Sequence, residues 1–326
     1  MSNYDVIIVG AGPTGICCGI EAKKAGLSYL ILDKGVLVNS LYHFPRNMTF
    51  FSTSLKLEIG NVPFISHTDK PTRDEALEYY RRVASSYDLN IQLRIRVHDV
   101  TKIGDSFVLE ASRGKLTCKN VVIATGFYDT PRELNIEGES LPKVKHYYDD
   151  AHLYIGQDVI VVGGANSACD AALETWSKGA NVTMVVREAK LYEKVKYWIL
   201  PNIQNRIKEG SIKAYFNSEL KLITKDNVRI STPEGEIQLK NDYVLAMTGY
   251  TPNYDWLKTM GINFNKDDYK TPTYNSKTLE SNVKGLYLAG VILSGLATSS
   301  LFIENTRHHG AVIIEDIMKK KQIHET

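Results

Sequence analysis

Six residues near the start of the chain, Gly10-Ala11-Gly12-Pro13-Thr14-Gly15, have the types and spacing needed to cradle a phosphate. In G-x-G-x-x-G the first glycine permits a tight turn. The second lets backbone approach a pyrophosphate with no side chain between them, and the third lets the following helix pack closely on its strand. A helix beginning near Pro13 turns its free N–H groups toward the anion. Asp33, about 20 residues further on, offers a carboxylate to ribose hydroxyls. A second turn, Gly163-Gly164-Ala165-Asn166-Ser167-Ala168, has alanine at the second and third glycine positions, the smallest substitute where phosphate and strand approach. Arg187 then stands where Asp33 stood. A guanidinium binds a 2′-phosphate that a carboxylate repels, so this turn points to NADPH over NADH. Lys190, Lys194 and Lys196 would add positive potential; the plainer alternative makes Arg187 a solvated surface residue. Two dinucleotide sites in one chain imply hydride passing from nicotinamide to a flavin.

The other reactive side chains are sparse. Cys17, Cys18, Cys118 and Cys169 lie in or beside apolar segments and form no C-x-x-C pair, which suits reduced, packed thiols better than disulfides or a metal site. No metal is expected. Cys18 lies one helical turn beyond Thr14 on the same face and is the nearer of two weak thiol candidates. His146 is a weak candidate proton donor, with a structural role as the alternative.

Two strand–helix–strand units position these residues. Tyr4 to Val9 is a β-branched strand, Ile16 to Ala25 an amphipathic helix closed by Gly26, and Tyr29 to Leu32 a second strand. The order recurs in Asp158 to Val162, Ser167 to Lys178 closed by Gly179, and Asn181 to Val186. Each unit is followed by β-rich segments ending in Thr-Gly. Leu93 to Val100, Ser106 to Ala111 and Leu116 to Ala124 run into Ala124-Thr125-Gly126. Val228 to Ser231, Glu236 to Leu239 and Tyr243 to Met247 run into Thr248-Gly249. The expected fold is α/β with two Rossmann-like dinucleotide domains. The first is discontinuous, residues 1–126 and 252–326, and the second spans 127–251.

The 39 basic and 37 acidic side chains nearly cancel, so no electrostatic footprint for nucleic acid or an anionic membrane surface is visible. With no run approaching the roughly 20 apolar residues of a membrane span and no leader-like segment, a cytoplasmic protein with small-molecule partners is expected. The basic run Lys319 to Lys321 follows the apolar stretch Ala311 to Met318, where cations complement a helix C-terminus.

The order of glycine turn, Ala-Thr-Gly, second glycine turn and Thr248-Gly249-Tyr250-Thr251-Pro252-Asn253 resembles the low-molecular-weight thioredoxin reductase superfamily over essentially the whole chain. Three stretches resemble the YpdA family of bacillithiol disulfide reductases. They are Phe50-Phe51-Ser52 with Leu57-Glu58-Ile59-Gly60, Leu288-Ala289-Gly290-Val291-Ile292, and Phe302-Ile303-Glu304-Asn305 with His309-Gly310. The resemblance implies a thioredoxin reductase-like, three-layer ββα architecture and an FAD site. That site takes in Gly10, Gly12, Pro13, Thr14, Gly15, Asp33, Lys34, Val97, Ala124, Thr125 and Gly126, with Gly290 and Val291 by the ribityl and pyrophosphate. Phe51, Ser52, Glu304 and Asn305 would lie toward the isoalloxazine; core packing is the alternative for Phe50, Phe51 and Phe302. The NADPH set is Gly163, Gly164, Ala165, Asn166, Ser167, Ala168, Arg187, Thr248 and Gly249. Self-association is implied as well.

Two departures bear on the acceptor. The thioredoxin reductase dithiol is absent, its place taken by His146-Tyr147-Tyr148-Asp149, and the cysteine proposed for YpdA relatives inside the first turn is Thr14 here. A hydroxyl cannot replace a thiolate as nucleophile. The expected activity is therefore hydride transfer from NADPH to FAD and then to an acceptor: a low-molecular-weight disulfide by resemblance, or a quinone, a small electrophile or oxygen. A flavin-dependent monooxygenase and a non-catalytic flavin redox sensor are the competing readings.

Overall fold

The computed structural model describes residues 3–325, with side chains described for residues 4–323. Its contacts divide the chain into two compact units, Met1–His43 with Met48–Thr130 and Tyr250–Thr326, and Phe44–Asn47 with Pro131–Gly249. The divisions thus fall at 130/131 and 249/250 rather than at 126/127 and 251/252.

The first unit is built on strands β1 (Asn3–Val9), β2 (Tyr29–Leu32), β3 (Ile91–Gln92), β4 (Val97–Ile103), β5 (Ser106–Ala111) and β6 (Gly114–Ile123). The sheet runs β3-β2-β1-β6-β5-β4, and a short strand, Leu286–Leu288, also pairs with β6. β1 is parallel to β2 and β6, whereas β4, β5 and the first half of β6 form an antiparallel meander. Val6, Ile7, Ile8, Leu30, Ile31 and Leu32 are fully buried. Such continuous apolar runs belong to parallel strands covered on both faces. Helix α1 (Pro13–Lys24) starts with proline at its first position, where a missing N–H costs nothing, and carries Lys23 and Lys24 in its last turn.

One expected strand is broken. The chain pairs briefly as β3 at Ile91–Gln92, is out of the sheet over residues 93–96, and re-enters at Val97, so only the second half of the expected Leu93 to Val100 strand forms. Arg94 adopts a left-handed conformation (φ 59) and donates its N–H to the Gly35 carbonyl. The pairing at that point serves the Asp33–Gly35 turn, not a sheet neighbour.

The C-terminal helix, His309–Glu325, packs on α1. A Cβ placed on Gly310 would lie 2.8 Å from the Cys17 and Cys18 backbone, so only glycine permits this approach. The basic run expected to end this helix sits inside it, because each ammonium has a carboxylate: Lys319 with Glu315, Lys320 with Glu280 and Asp316, and Lys321 with Asp5.

The second unit repeats the parallel plan with β7 (Val144–Lys145), β8 (Asp158–Val162), β9 (Asn181–Val185), β10 (Lys213–Tyr215) and β14 (Tyr243–Ala246), ordered β10-β9-β8-β14-β7. Helix α2 (Asn166–Ser177) joins β8 to β9 and packs Ala168, Cys169, Ala171 and Ala172 into the core. A separate antiparallel sheet holds β11 (Glu219–Ile223), β12 (Asn227–Thr232) and β13 (Gly235–Lys240). Its alternation of buried and exposed residues marks one solvated face. Each unit is therefore a Rossmann-like α/β domain with an antiparallel excursion. Among the described residues no helix is long and apolar enough to cross a membrane, and no cluster of His, Cys, Asp and Glu could hold a metal ion.

Candidate functional site

In the first unit the C-terminal ends of β1, β6 and strand Leu286–Leu288 converge, the edge at which open parallel sheets bind ligands. The three motif glycines meet different demands there. Gly10 has φ +114, and a Cβ on it would lie 2.4 Å from the Ala124 carbonyl oxygen; one on Gly15 would lie 1.9 Å from the Gly10 oxygen. Both are required by the protein's own backbone. Gly12 is not: its φ of −74 suits any residue, and nothing lies within 4 Å of a Cβ built on it. The protein leaves room at that position that it does not itself use. No side chain caps α1 and no acid lies in its first turn, so its leading amides face that opening without competition from a carboxylate.

Asp33 organises this turn. One carboxylate oxygen accepts the Ala11 N–H at 2.8 Å and the other the Gly35 N–H at 2.8 Å. Burial pushes its pKa up against these hydrogen bonds. An ionised carboxylate has about four acceptor sites, so capacity for a ribose hydroxyl remains. Lys34 pairs with Asp129 at 2.8 Å, which ties the residue after Asp33 to the segment following Gly126. Val97 is buried at the start of β4, two residues beyond Ile95, whose N–H donates to the Asp33 carbonyl.

Residues far apart in sequence complete the locus. The Ala124 N–H donates to Val9, and the Ala289 N–H to Ile123. A Cβ on Gly126 would lie 3.7 Å from Val291, and one on Gly290 would lie 3.2 Å from the Thr14 hydroxyl. Gly290 has φ +87, so glycine is needed there for conformation as well as space. Thr14 Oγ1 lies 2.9 Å from the Oγ1 of fully buried Thr306. The Thr306 hydroxyl donates to the Phe302 carbonyl, which makes Thr14 the donor in the pair. Neither Thr306 nor its partnership with Thr14 was visible in the sequence, where 292 positions separate them.

His309 was quoted above only as part of a resemblance, yet it holds this wall in place. Its Nδ1 accepts the Gly290 N–H at 3.0 Å, which requires that nitrogen to be unprotonated. Burial pushes its pKa down to about 4, from an ordinary 6.5. The unfolded state therefore binds the extra proton between these values, so stability present above about 6.5 is lost as the pH falls toward 4. A His309→Gln variant should flatten this acid limb in thermal melts between pH 7 and 4. An unchanged slope would show that His309 is not the responsible group.

The short helix Ser54–Leu57, which follows Phe51–Ser52, is tied to helix Ile303–Thr306 and the residue after it. Lys56 lies 3.8 Å from Glu304, and Arg307 donates to the Leu55 and Glu58 carbonyls at 3.0 and 3.1 Å. Phe50 is core, whereas Phe51 and Phe302 are 59% and 49% exposed and so are not core packing. Asn305 caps its own helix, its side chain accepting the Phe302 N–H.

Of the three catalytic candidates, Thr14, Cys18 and His146, only Thr14 lies in this locus. Cys18 is fully buried in the sheet core, and desolvation pushes its thiol up. Cys17, Cys118 and Cys169 are likewise buried and pushed up to about 12. The helical face shared with Thr14 points Cys18 into the core, because α1 is covered on that side by sheet. His146 lies in the second unit with Nε2 3.2 Å from Glu139, whose carboxylate also accepts the Leu134 and Asn135 N–H groups. That arrangement is a loop anchor.

The second turn follows the same logic with other residues. Gly163 has φ +123, and a Cβ on it would lie 2.6 Å from the Met247 oxygen and 3.3 Å from the Ala168 methyl. Ala168 fills the third glycine position and is fully buried, so nothing larger fits. Gly164 is closed off by Val186, 2.8 Å from a built Cβ. Ala165 and Ser167 are exposed, and the α2 start has neither side-chain cap nor acid. Thr248 donates to the Arg132 carbonyl, and Gly249, at φ +89, accepts the Arg132 N–H. Arg187 is exposed just past β9, its guanidinium paired with neighbouring Glu188 at 3.0 Å. Lys190 pairs with Glu193. Lys196 differs from the expectation of a phosphate-facing cation: it is turned inward onto Asp170 at 2.9 Å.

Known proteins share this fold. The family model for pyridine nucleotide-disulphide oxidoreductases matches residues 7–290. The bacilliredoxin reductase Bdr of Bacillus subtilis is 41% identical over 323 residues, 98% of this chain and 99% of the relative. Among solved structures, the bacillithiol disulfide reductase Bdr (YpdA) of Staphylococcus aureus superposes with a TM-score of 0.96 at 41% identity, covering 98% of this chain and all of that one. Its counterpart from Bacillus cereus does so with 0.95 at 38% identity and the same coverage. The chain belongs to the pyridine nucleotide-disulphide oxidoreductases, as a flavoprotein oxidoreductase of the Bdr (YpdA) group.

Proposed function

We propose that this protein is an FAD-dependent NADPH oxidoreductase that passes electrons to a small acceptor of the low-molecular-weight disulfide class. The observation that carries the reading is the unused space at Gly12, set beside a second, differently built turn followed by Arg187. We assign FAD to the first unit and NADPH to the second. A bound flavin supplies an acceptor for hydride from reduced nicotinamide and a store of two electrons.

The chain's own residues bind and orient. Gly12 and the α1 amides would hold the FAD pyrophosphate, and Asp33 the adenosine ribose. His309 fixes Gly290 at the wall beside Thr14. Arg187 is free enough of buried partners to turn to a 2′-phosphate. The relatives' names supply the disulfide class. Thr14 favours a second outcome, direct transfer to a quinone, a small electrophile or oxygen, because a hydroxyl forms no mixed disulfide.

Purified protein is expected to be yellow and to release FAD on denaturation; a colourless protein that cannot be reconstituted with FAD excludes the assignment. In anaerobic stopped flow, NADPH should bleach the flavin at least about tenfold faster than NADH, the scale of one lost charge-assisted contact. Equal rates remove Arg187 from the account. Mixing the reduced protein with bacillithiol disulfide, a quinone or oxygen then ranks the acceptors.

A further inference from the structure

The segment from Arg187 to Ile199 has no helix or strand, yet it is not loose. It is fastened to the second glycine turn and the helix that begins there at three points. The Tyr192 N–H donates to the Gly164 carbonyl at 2.9 Å, the Lys196 N–H to the Asn166 side-chain oxygen at 2.8 Å, and the Lys196 ammonium to Asp170 at 2.9 Å. Asn166 and Asp170 are four residues apart on α2 and so share a face. One residue, Lys196, is therefore gripped twice by the helix that begins at the turn, once by its backbone and once by its side chain. Its side chain is 11% exposed and that of Asp170 is 21% exposed. Water screens a pair so enclosed much less than a surface pair. Leu191 and Val195, buried beneath the same segment, add an apolar footing. Arg187, Lys190 and Lys194 are left pointing to solvent.

We propose that Lys196 and Asp170 form a clasp that positions the Arg187 segment against the glycine turn and so sets the preference for a 2′-phosphorylated dinucleotide. Lys196 is a positioning residue in this account and does not touch the phosphate. The inference rests on the assignment of the second turn to NADPH and names what enforces its selectivity. A fixed distance between the turn, which would hold the pyrophosphate, and Arg187, which would read the 2′-phosphate, makes both contacts available to one ligand without a further ordering cost. NADH lacks the second contact and gains nothing from the clasp.

The test measures equilibrium binding of NADP⁺ and NAD⁺ by calorimetry to flavin-loaded Lys196→Met, Asp170→Ala, Lys196→Arg and Arg187→Ala proteins. Amide exchange at Tyr192 and Lys196 is followed alongside. Both clasp-breaking variants should weaken NADP⁺ about tenfold, well within the usual range for coupled positions, and NAD⁺ by less than about twofold. The two amides should exchange faster, and Lys196→Arg should restore both readouts. If Lys196 touched the phosphate directly, Asp170→Ala would free its ammonium and tighten NADP⁺, which overturns the clasp. Weakened NADP⁺ in Arg187→Ala with an unchanged NADP⁺ to NAD⁺ ratio in the clasp variants overturns the inference and leaves the cofactor assignment standing. An unchanged ratio in Arg187→Ala overturns the assignment and the inference together.

Discussion

Gly12→Val is expected to yield a folded protein that retains almost no flavin. The backbone at this position is extended, with φ −74 and ψ 176, and a valine adopts it without strain. Apart from its own chain neighbours, no described residue lies within 4 Å of the new Cβ, so the added side chain enters open space. A bound pyrophosphate would meet the added methyl groups directly. Overpacking a close contact costs about 1–3 kcal/mol, roughly 5- to 150-fold in dissociation constant. Far-ultraviolet circular dichroism and the apo-protein melt should match those of flavin-stripped parent, while the visible flavin spectrum after purification disappears. Gly10→Ala is the contrasting control, since its Cβ would strike the Ala124 carbonyl and lower stability whether or not flavin is present. Full flavin content in Gly12→Val would place the cofactor elsewhere.

Thr14→Cys should raise disulfide reduction by reduced protein at least about tenfold. Thr14 is the second residue of α1, beside Gly290 and bonded to Thr306. A thiol at a helix N-terminus is held toward the thiolate, the form that attacks disulfides. The chain's own cysteines contrast with it, since burial pushes all four thiols up and removes them from solvent. Steady-state reduction of bacillithiol disulfide with NADPH is the measurement, and iodoacetamide should abolish the gain. The isosteric Thr14→Val variant loses the hydrogen bond to Thr306 without adding a thiol, so it separates packing from chemistry. No gain in Thr14→Cys would mean that the acceptor receives electrons from the flavin without a protein thiol.

The local chain carried much of this outcome. Alternating or continuous apolar runs flanked by glycine fixed the two strand–helix–strand units to within a few residues, because hydrophobic periodicity and turn chemistry act over neighbouring positions. The break at Leu93–Arg96 was not legible, since it answers a hydrogen bond from Arg94 to Gly35. The strand Glu219–Ile223 was missed despite its alternation; its partner β12 lies a few residues on, and pairing decided it. Lys196 read as one more solvent-facing cation of its segment, and only the fold brought Asp170 beside it.

Residue types and spacing along the chain thus determined two glycine turns set between strand and helix, the acidic residue after one and the basic residue after the other, and the absence of a thiol at position 14. Tertiary structure decided which glycine is needed by the protein and which leaves a space, since that depends on atoms contributed by Ala124. It also decided that His309 and Thr306 attend Gly290 and Thr14 and that the cysteines are buried. The physical reason is range. Backbone preference and periodicity are written over a few residues, whereas desolvation and long-range hydrogen bonding depend on segments that meet only when the sheet closes.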